Sequence, residues 1–216
     1  MTADGKIADV GRSPARFSSA ADRVHLEKQI SLVDGVLFGA ATLRAYGTTL
    51  PICDPHLLAS RKQLSKPLQP VQIVCSASGE IDPQLRFFSQ PVPRWLLTTS
   101  AGAKYWQGLA EGKFERILVA ENTSENPPYL NWQKAFAQFA QLGWQKLAIL
   151  GGGELVASLL ALNLIDEFWL TVCPVIFGGA AAPTPVGGTS LSPQRLELLS
   201  VDRIDQEIFL HYRLQR

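Results

Sequence analysis

Ile149-Leu150-Gly151-Gly152-Gly153-Glu154-Leu155 joins a short apolar run, Leu147 to Leu150, to a helical pattern over Glu154 to Leu162. A strand that ends in side-chain-free backbone at a helix start presents unpaired N–H groups, with the positive end of the helix dipole behind them. That is anion chemistry, and phosphate is the usual anion. The same residues also suit a tight strand-to-helix turn without a ligand, and the spacing is neither G-x-G-x-x-G nor G-x-x-x-x-G-K-S/T. Other turns raise the weight of this one. Gly39, Ser76 and Thr98 each close a short apolar run too. In parallel sheets ligands bind outside the carboxyl ends of the strands. The turns at Gly39, Ser76, Thr98 and Gly151 are therefore expected to converge on one crevice.

The elements that position these turns follow from pattern. Ser18 and Ser19 suit a helix start, with Asp22 three residues on in a capping-box position, and the helix is expected from Ala20 to about Leu32. Val36 to Phe38, Val71 to Val74, Trp95 to Leu97, Ile117 to Ala120 and Phe168 to Val172 read as strands. Helices are expected to open at Gly39-Ala40-Ala41-Thr42 and over Ala103 to Ala110 and Asn131 to Leu142. Trp132, Ala135, Phe136 and Phe139 share one face of the last, and that stripe reads as core rather than as a cofactor box. Pro51, Pro55, Pro67 and Pro70 mark residues 51 to 70 as mostly loop, and Ala180 to Gly188 is a second Pro/Gly loop. Leu196 to Val201 and Ile208 to Leu214 form an antiparallel pair with alternating faces. Strands alternating with helices predict an α/β fold with a mostly parallel sheet and a C-terminal antiparallel hairpin. A single domain over residues 1–216 is expected, since no repeat or linker divides the chain.

Composition narrows the partners. A net charge of +1 and the lack of any Lys/Arg run leave no footprint for nucleic acid, and no apolar stretch is long enough to span a bilayer. The first residues, Met-Thr-Ala-Asp-Gly-Lys, have no signal-peptide core, so a cytoplasmic protein is expected. Cys53, Cys75 and Cys173 lie far apart and are odd in number, which reads as reduced thiols and as no metal site. His25-Leu26-Glu27 matches H-x-E, but the Pro-Cys-x-x-Cys partner of a zinc deaminase is absent. His25 is expected on a helix surface or at a cap.

Thr2-Ala3-Asp4-Gly5-Lys6-Ile7-Ala8 resembles the opening "S/T-x-D-G-K-I-A" of the riboflavin-biosynthesis pyrimidine reductases, the C-terminal reductase domain of the bifunctional deaminase-reductase. Asp34 to Arg44 is similar to "D-A-V-L-V-G-x-G-T-V-R", and Leu150 to Gly179, with GGGELVASLL and LIDEFWLTVCPVIFGG, is similar to a third signature. The resemblance implies a dihydrofolate-reductase-like three-layer α/β/α fold and a reductase using NADPH, with NADH not excluded. It implies a reaction that passes a hydride to C1′ of a phosphoribosylamino-pyrimidine and opens the ribose to a ribityl chain. Gly39, Thr42, Ser76, Thr98 and Gly151, Gly152, Gly153, Glu154 and Leu155 would hold the dinucleotide. Asp4 and Lys6 would be catalytic, and Ser19, Arg44 and Tyr46 would face the substrate. A lysine in a desolvated crevice binds a phosphate or donates a proton as the ring oxygen leaves. Each residue also has an ordinary role: Lys6 as an exposed turn lysine, Asp4 in an Asx turn, Ser19 as a cap, Tyr46 on the surface. A homodimer through the C-terminal strands is implied as well.

The chain departs from the pattern at several points. Arg44 leads into Ala45-Tyr46-Gly47-Thr48-Thr49-Leu50 where the family has Asp-Asn/Asp-Pro-x-Leu-Thr, Leu150 stands where a substrate-binding Glu is common, and Gln29 and Ile30 occupy the place of a helix-end arginine. Ala77-Ser78-Gly79 after Ser76 holds no base for a 2′-phosphate. A site built for polar groups discriminates strongly, so these losses weigh on the substrate. They keep a second reading open, a non-catalytic homologue that binds a dinucleotide as a sensor or partner. The family's first strand precedes its Asp-Gly-Lys turn, so the natural reading frame is expected to start upstream of Met1.

Overall fold

The apolar runs around Val36, Ile73, Leu96 and Leu118 become neighbouring strands of one parallel sheet, and Val36, Leu37, Ile73, Val74, Leu96 and Leu97 are all fully buried. Near-continuous apolar strands are what a parallel sheet covered on both faces requires. The computed structural model of the chain describes residues 1–14, 17–108, 112–122, 129–188 and 191–216. They fall into two compact units, Leu26–Leu150, and Met1–His25 with Gly151–Arg216. Helix α1 (Ala20–Ser31) carries the chain from one to the other.

The central unit contains β1 (Gly35–Gly39), α2 (Ala40–Tyr46), α3 (Pro55–Gln63), β2 (Val71–Cys75), β3 (Arg94–Thr98), α4 (Ser100–Gln107) and β4 (Arg116–Val119). It continues through β5 (Glu121–Asn122), β6 (Tyr129–Leu130), α5 (Trp132–Gln141) and β7 (Leu147–Ile149). The sheet order is β4-β3-β2-β1-β7, with every pairing parallel. From β1 the connection runs one way through β2, β3 and β4, and β7 then returns to the other side of β1. That reversal makes the carboxyl end of β1 the topological switch point. β5 and β6 form a small antiparallel pair of their own.

Helix α3 corrects the expectation of a loop over residues 51 to 70. Pro55 stands at the first helical position, where its missing N–H costs nothing, and the Asp54 carboxylate accepts from the His56 N–H. The proline that read as a breaker is a helix start. Helix α4 begins at Ser100 rather than Ala103 because the Thr99 hydroxyl caps the Gly102 N–H. Its expected end, at Leu109 and Ala110, lies outside the described residues. Asn131 and Leu142 prove to be the caps of α5, not members of it.

Two charged groups pin the central unit. The Asp34 carboxylate accepts from Lys66 Nζ at 2.5 Å and from the N–H groups of Gln145 and Lys146. Burial raises its pKa, but these hydrogen bonds and the Lys66 charge outweigh that and hold the group below the ordinary carboxylate value. Arg61 is buried and donates to the carbonyls of Ser31, Val33 and Pro67 at 2.7–2.8 Å, so a cation closes the carboxyl end of α1.

The second unit holds α6 (Gly153–Ala161), β8 (Glu167–Val172), β9 (Arg195–Ile204) and β10 (Glu207–Gln215). The three strands form an antiparallel sheet in the order β8-β10-β9. The expected hairpin is present, and β8 extends it. Thr2 bridges Cys173 just past the end of β8. No helix among the described residues is long and apolar enough to cross a membrane.

Candidate active site

The Asp-Gly-Lys segment folds as a tight turn, with the Thr2 N–H donating to the Lys6 carbonyl and the Gly5 N–H to the Thr2 carbonyl. Gly5 takes φ 79°, a left-handed conformation that glycine adopts without penalty. Asp4 does more than satisfy its own turn. Its carboxylate accepts from the Thr2 hydroxyl at 2.6 Å, the Phe177 N–H at 3.2 Å and the Gly178 N–H at 2.7 Å. The Thr2 hydroxyl first, then the Gly178 N–H, hold its pKa down at about 2. At neutral pH Asp4 is an anion occupied as an acceptor, a clamp between two loops. Lys6 is half-buried, and among the described residues its Nζ has neither an ion-pair nor a hydrogen-bond partner.

Ser19 caps α1, its Oγ accepting from the Asp22 N–H. The reciprocal half of the capping box is not made by Asp22. The buried Glu207 carboxylate accepts from both the Ser19 N–H and the Ser19 hydroxyl, across a separation of 188 residues. Nothing local to Ser19 signals that partner. His25 is also not a helix-surface residue: its ring lies 5.1 Å from Trp169 and 5.0 Å from Phe209, half-buried against the antiparallel sheet. Glu27 of the H-x-E match accepts from the N–H groups of Cys53 and Asp54, and no metal-holding cluster of three residues exists among the described residues.

The three consecutive glycines do different work. Gly151 has φ 89°, and a Cβ there would meet nothing within 4 Å. Gly152 is the N-cap of α6 without a side-chain cap, and its peptide bond with Gly151 is cis. Among the described residues no acceptor takes the N–H of Gly152, Gly153 or Glu154. Gly153 is a packing position: a Cβ would stand 2.3 Å from the Thr184 carbonyl oxygen, and its own carbonyl accepts from the Gly187 N–H. Glu154 pairs with Arg12 at 3.5 Å, both largely exposed, so that contact contributes little. Leu155 is buried.

On the central sheet, Gly39 N-caps α2 with open space where a Cβ would be, and Thr42 is partly exposed in the first turn. The buried Ser76 hydroxyl accepts from the Gly79 N–H. Thr98 is fully buried and donates to the Ala77 carbonyl, as Thr99 does at 2.7 Å. Thr98 therefore braces the Ser76 turn from beneath and does not present its hydroxyl to solvent. The brace includes a close approach of Gly79 to Gly102 and a bond from Trp106 Nε1 to the Gly79 carbonyl. Arg44 does not point along the loop that follows it; Nη1 donates to the Glu80 carbonyl at 3.3 Å. Tyr46 is 47% exposed. Gly39, Ser76 and Thr98 thus share one end of one sheet. The chain leaves that end at Leu150, whose N–H bonds the Leu37 carbonyl, and Gly151 follows.

The sequence model of the family described as "RibD C-terminal domain" matches residues 1–210. The 2,5-diamino-6-ribosylamino-4(3H)-pyrimidinone 5′-phosphate reductase of Archaeoglobus fulgidus is 26% identical over 99% of this chain and 94% of its own length. The chloroplastic riboflavin biosynthesis protein PYRR of Zea mays is 27% identical over 97% of this chain, which spans 32% of it. Among solved structures, a pyrimidine reductase-like protein from Corynebacterium diphtheriae superposes with TM-score 0.82 at 22% identity, covering 100% of this chain and 89% of that one. RibD of Acinetobacter baumannii gives 0.75 at 18% identity over 99% of this chain and 55% of its own. At such identities the superpositions establish the fold.

Proposed function

The chain belongs to the RibD C-terminal domain family, and on that premise we propose that it is a reductase of riboflavin-biosynthesis type. It takes a hydride from a reduced nicotinamide dinucleotide, NADPH, to C1′ of a phosphoribosylamino-pyrimidine. The observation that carries this reading is a family match that takes in both the Asp4–Lys6 turn and the Gly151–Leu155 turn.

The residues fit such a coenzyme. Gly39 and Gly151 leave room for backbone to approach a ligand, and the N–H groups at the start of α6 are free to meet phosphate oxygens. Gly39, Thr42, Ser76 and Gly151 to Leu155 are the proposed dinucleotide contacts, with Thr98 supporting Ser76. When bound, the nicotinamide supplies the hydride. Lys6, with its Nζ uncommitted, binds the substrate phosphate or delivers the proton that the departing ring oxygen needs. Asp4 holds the lysine's turn in place. Ser19 and Tyr46 are the further substrate contacts in this reading. Leu196, Leu198, Val201 and Ile204, exposed along β9, support a homodimer.

One observation favours a second reading, a dinucleotide-binding homologue without turnover. Leu150 packs against the central core where the family commonly places a substrate-binding Glu. Titration with NADPH and NADH by nicotinamide fluorescence, followed by a turnover assay on pyrimidine ribosides, separates the cases. Micromolar binding with hydride transfer supports the reductase, binding without transfer favours the homologue, and no binding refutes both.

A further inference from the structure

The turn after β2 is where the sequence offers no base and one acid, Ser76-Ala77-Ser78-Gly79-Glu80. In dinucleotide-binding sheets an acid near such a turn accepts from a free ribose 2′-OH, whereas an arginine takes a 2′-phosphate. From sequence the turn therefore lacks the residue that marks NADPH. The fold supplies one from elsewhere. Arg44, on α2 and 36 residues before Glu80, reaches the turn and donates Nη1 to the Glu80 carbonyl at 3.3 Å. That long bond uses one of five guanidinium donors. No carboxylate among the described residues pairs with Arg44, and Glu80 forms no ion pair there either.

Two further features suit an anion. Ser78 is exposed, and its Oγ accepts from the Glu80 N–H at 3.3 Å, which leaves the hydroxyl proton to donate outward. The turn is held rigid by the Ser76 Oγ bond from the Gly79 N–H, the Trp106 bond to Gly79, and Thr98 and Thr99 on Ala77. Donors fixed before binding lose little entropy on binding. The turn also lies beside the switch point: Gly39 is in register with Cys75, so Ser76 starts level with the α2 end of β1. A guanidinium and a hydroxyl on a preformed turn are donors for a phosphate monoester.

We propose that Arg44, with Ser78, is the coenzyme-specificity determinant of this protein and binds the 2′-phosphate of NADPH, not the substrate. The inference rests on the dinucleotide reading above. It is tested by fluorescence titration of NADPH and NADH against wild type, Arg44→Gln and Ser78→Ala, with circular dichroism to confirm that each variant is folded. Wild type should bind NADPH at least tenfold more tightly than NADH. Arg44→Gln should lose tenfold or more in NADPH affinity while NADH changes less than twofold, and Ser78→Ala should shift in the same direction by less. Two results overturn the inference and leave the reductase reading standing. One is a wild type that prefers NADH, which would give the turn to Glu80. The other is an Arg44→Gln variant with both coenzyme affinities unchanged, which would return Arg44 to the substrate phosphate. A wild type that binds neither coenzyme refutes the reductase reading, and the inference with it.

Discussion

Gly153→Ala adds one methyl group at the first residue of α6, where helix propensity alone predicts a gain. Alanine is favoured over glycine by about 1 kcal/mol in a helix interior, and less at a first turn. Against it stands a built Cβ 2.3 Å from the Thr184 carbonyl oxygen and 3.0 Å from the Gly187 nitrogen, both backbone atoms. Ordinary contact needs more than a further ångström, so the 184–188 loop must move and the Gly187 N–H to Gly153 carbonyl bond is lost or stretched. Overpacking of this kind costs about 1–3 kcal/mol, and the hydrogen bond contributes about 1 kcal/mol more. Set against the propensity gain, the net loss is about 2 kcal/mol, which lowers Tm by about 4–8 °C in a chain of this size. Differential scanning calorimetry of wild type and variant measures it. Gly151→Ala is the control, since its cost of about 1–2 kcal/mol comes from φ and not from a clash. A Gly153→Ala protein as stable as wild type, or more so, would refute the packing of the 184–188 loop on the α6 start.

Asp4 has a folded pKa of about 2 against an ordinary 3.8, so its stabilisation is complete above 3.8 and is lost as pH falls through about 2. The Tm gap between wild type and Asp4→Asn should be widest near neutrality and close across that window; a gap constant down to pH 2 would show that the clamp is not ionic. Arg61→Ala strands the Ser31, Val33 and Pro67 carbonyls. The Ser31 and Val33 bonds are buried, whereas Pro67 is exposed and water can take its carbonyl. At about 1–3 kcal/mol for each unsatisfied buried group, urea unfolding should show a loss of about 2 kcal/mol or more, little of it recovered by Arg61→Met. Cys53 is exposed, while burial pushes the Cys75 and Cys173 thiols up to about 12. Ellman's reagent should titrate one thiol in the native protein and three in denaturant, and rapid reaction of a second native thiol would contradict the burial.

The parts of the fold that are legible in the sequence are those whose signal is local. Val36 to Phe38, Val71 to Val74 and Trp95 to Leu97 are apolar because both faces of a parallel strand are buried, and the structure adds only a residue or two at their ends. Helix α3 escapes a reading of the sequence because proline has opposite meanings inside a helix and at its first position, and the Asp54 cap that decides between them is a single residue. Ser19 is legible as a cap, but Glu207, which completes it, arrives from the far end of the chain. Arg44 is hidden in the same way. Its place in sequence suggests the loop that follows it, and only the packing of α2 beside β2 brings it to Glu80.

The glycine turn and the Asp-Gly-Lys turn are each legible, whereas what joins them is not. Residues 175–188 touch both: the Ala3 N–H donates to the Val175 carbonyl, Asp4 accepts from Phe177 and Gly178, the Ile7 N–H donates to the Pro183 carbonyl, and Gly187 donates to Gly153. In sequence only Ala180 to Gly188 of this stretch reads as a Pro/Gly loop, which says nothing of what it holds. In the structure it is the common strut of the Lys6 turn and the α6 start, and a strut transmits displacement. If the methyl group added by Gly153→Ala pushes residues 184–188 outward, part of what Asp4 clamps has already moved, so removing the clamp then costs less. The Tm shifts of Gly153→Ala and Asp4→Asn should therefore sum to more than the shift of the double variant. Strictly additive shifts would mean that the two turns are held independently and that the loop between them is only a connection.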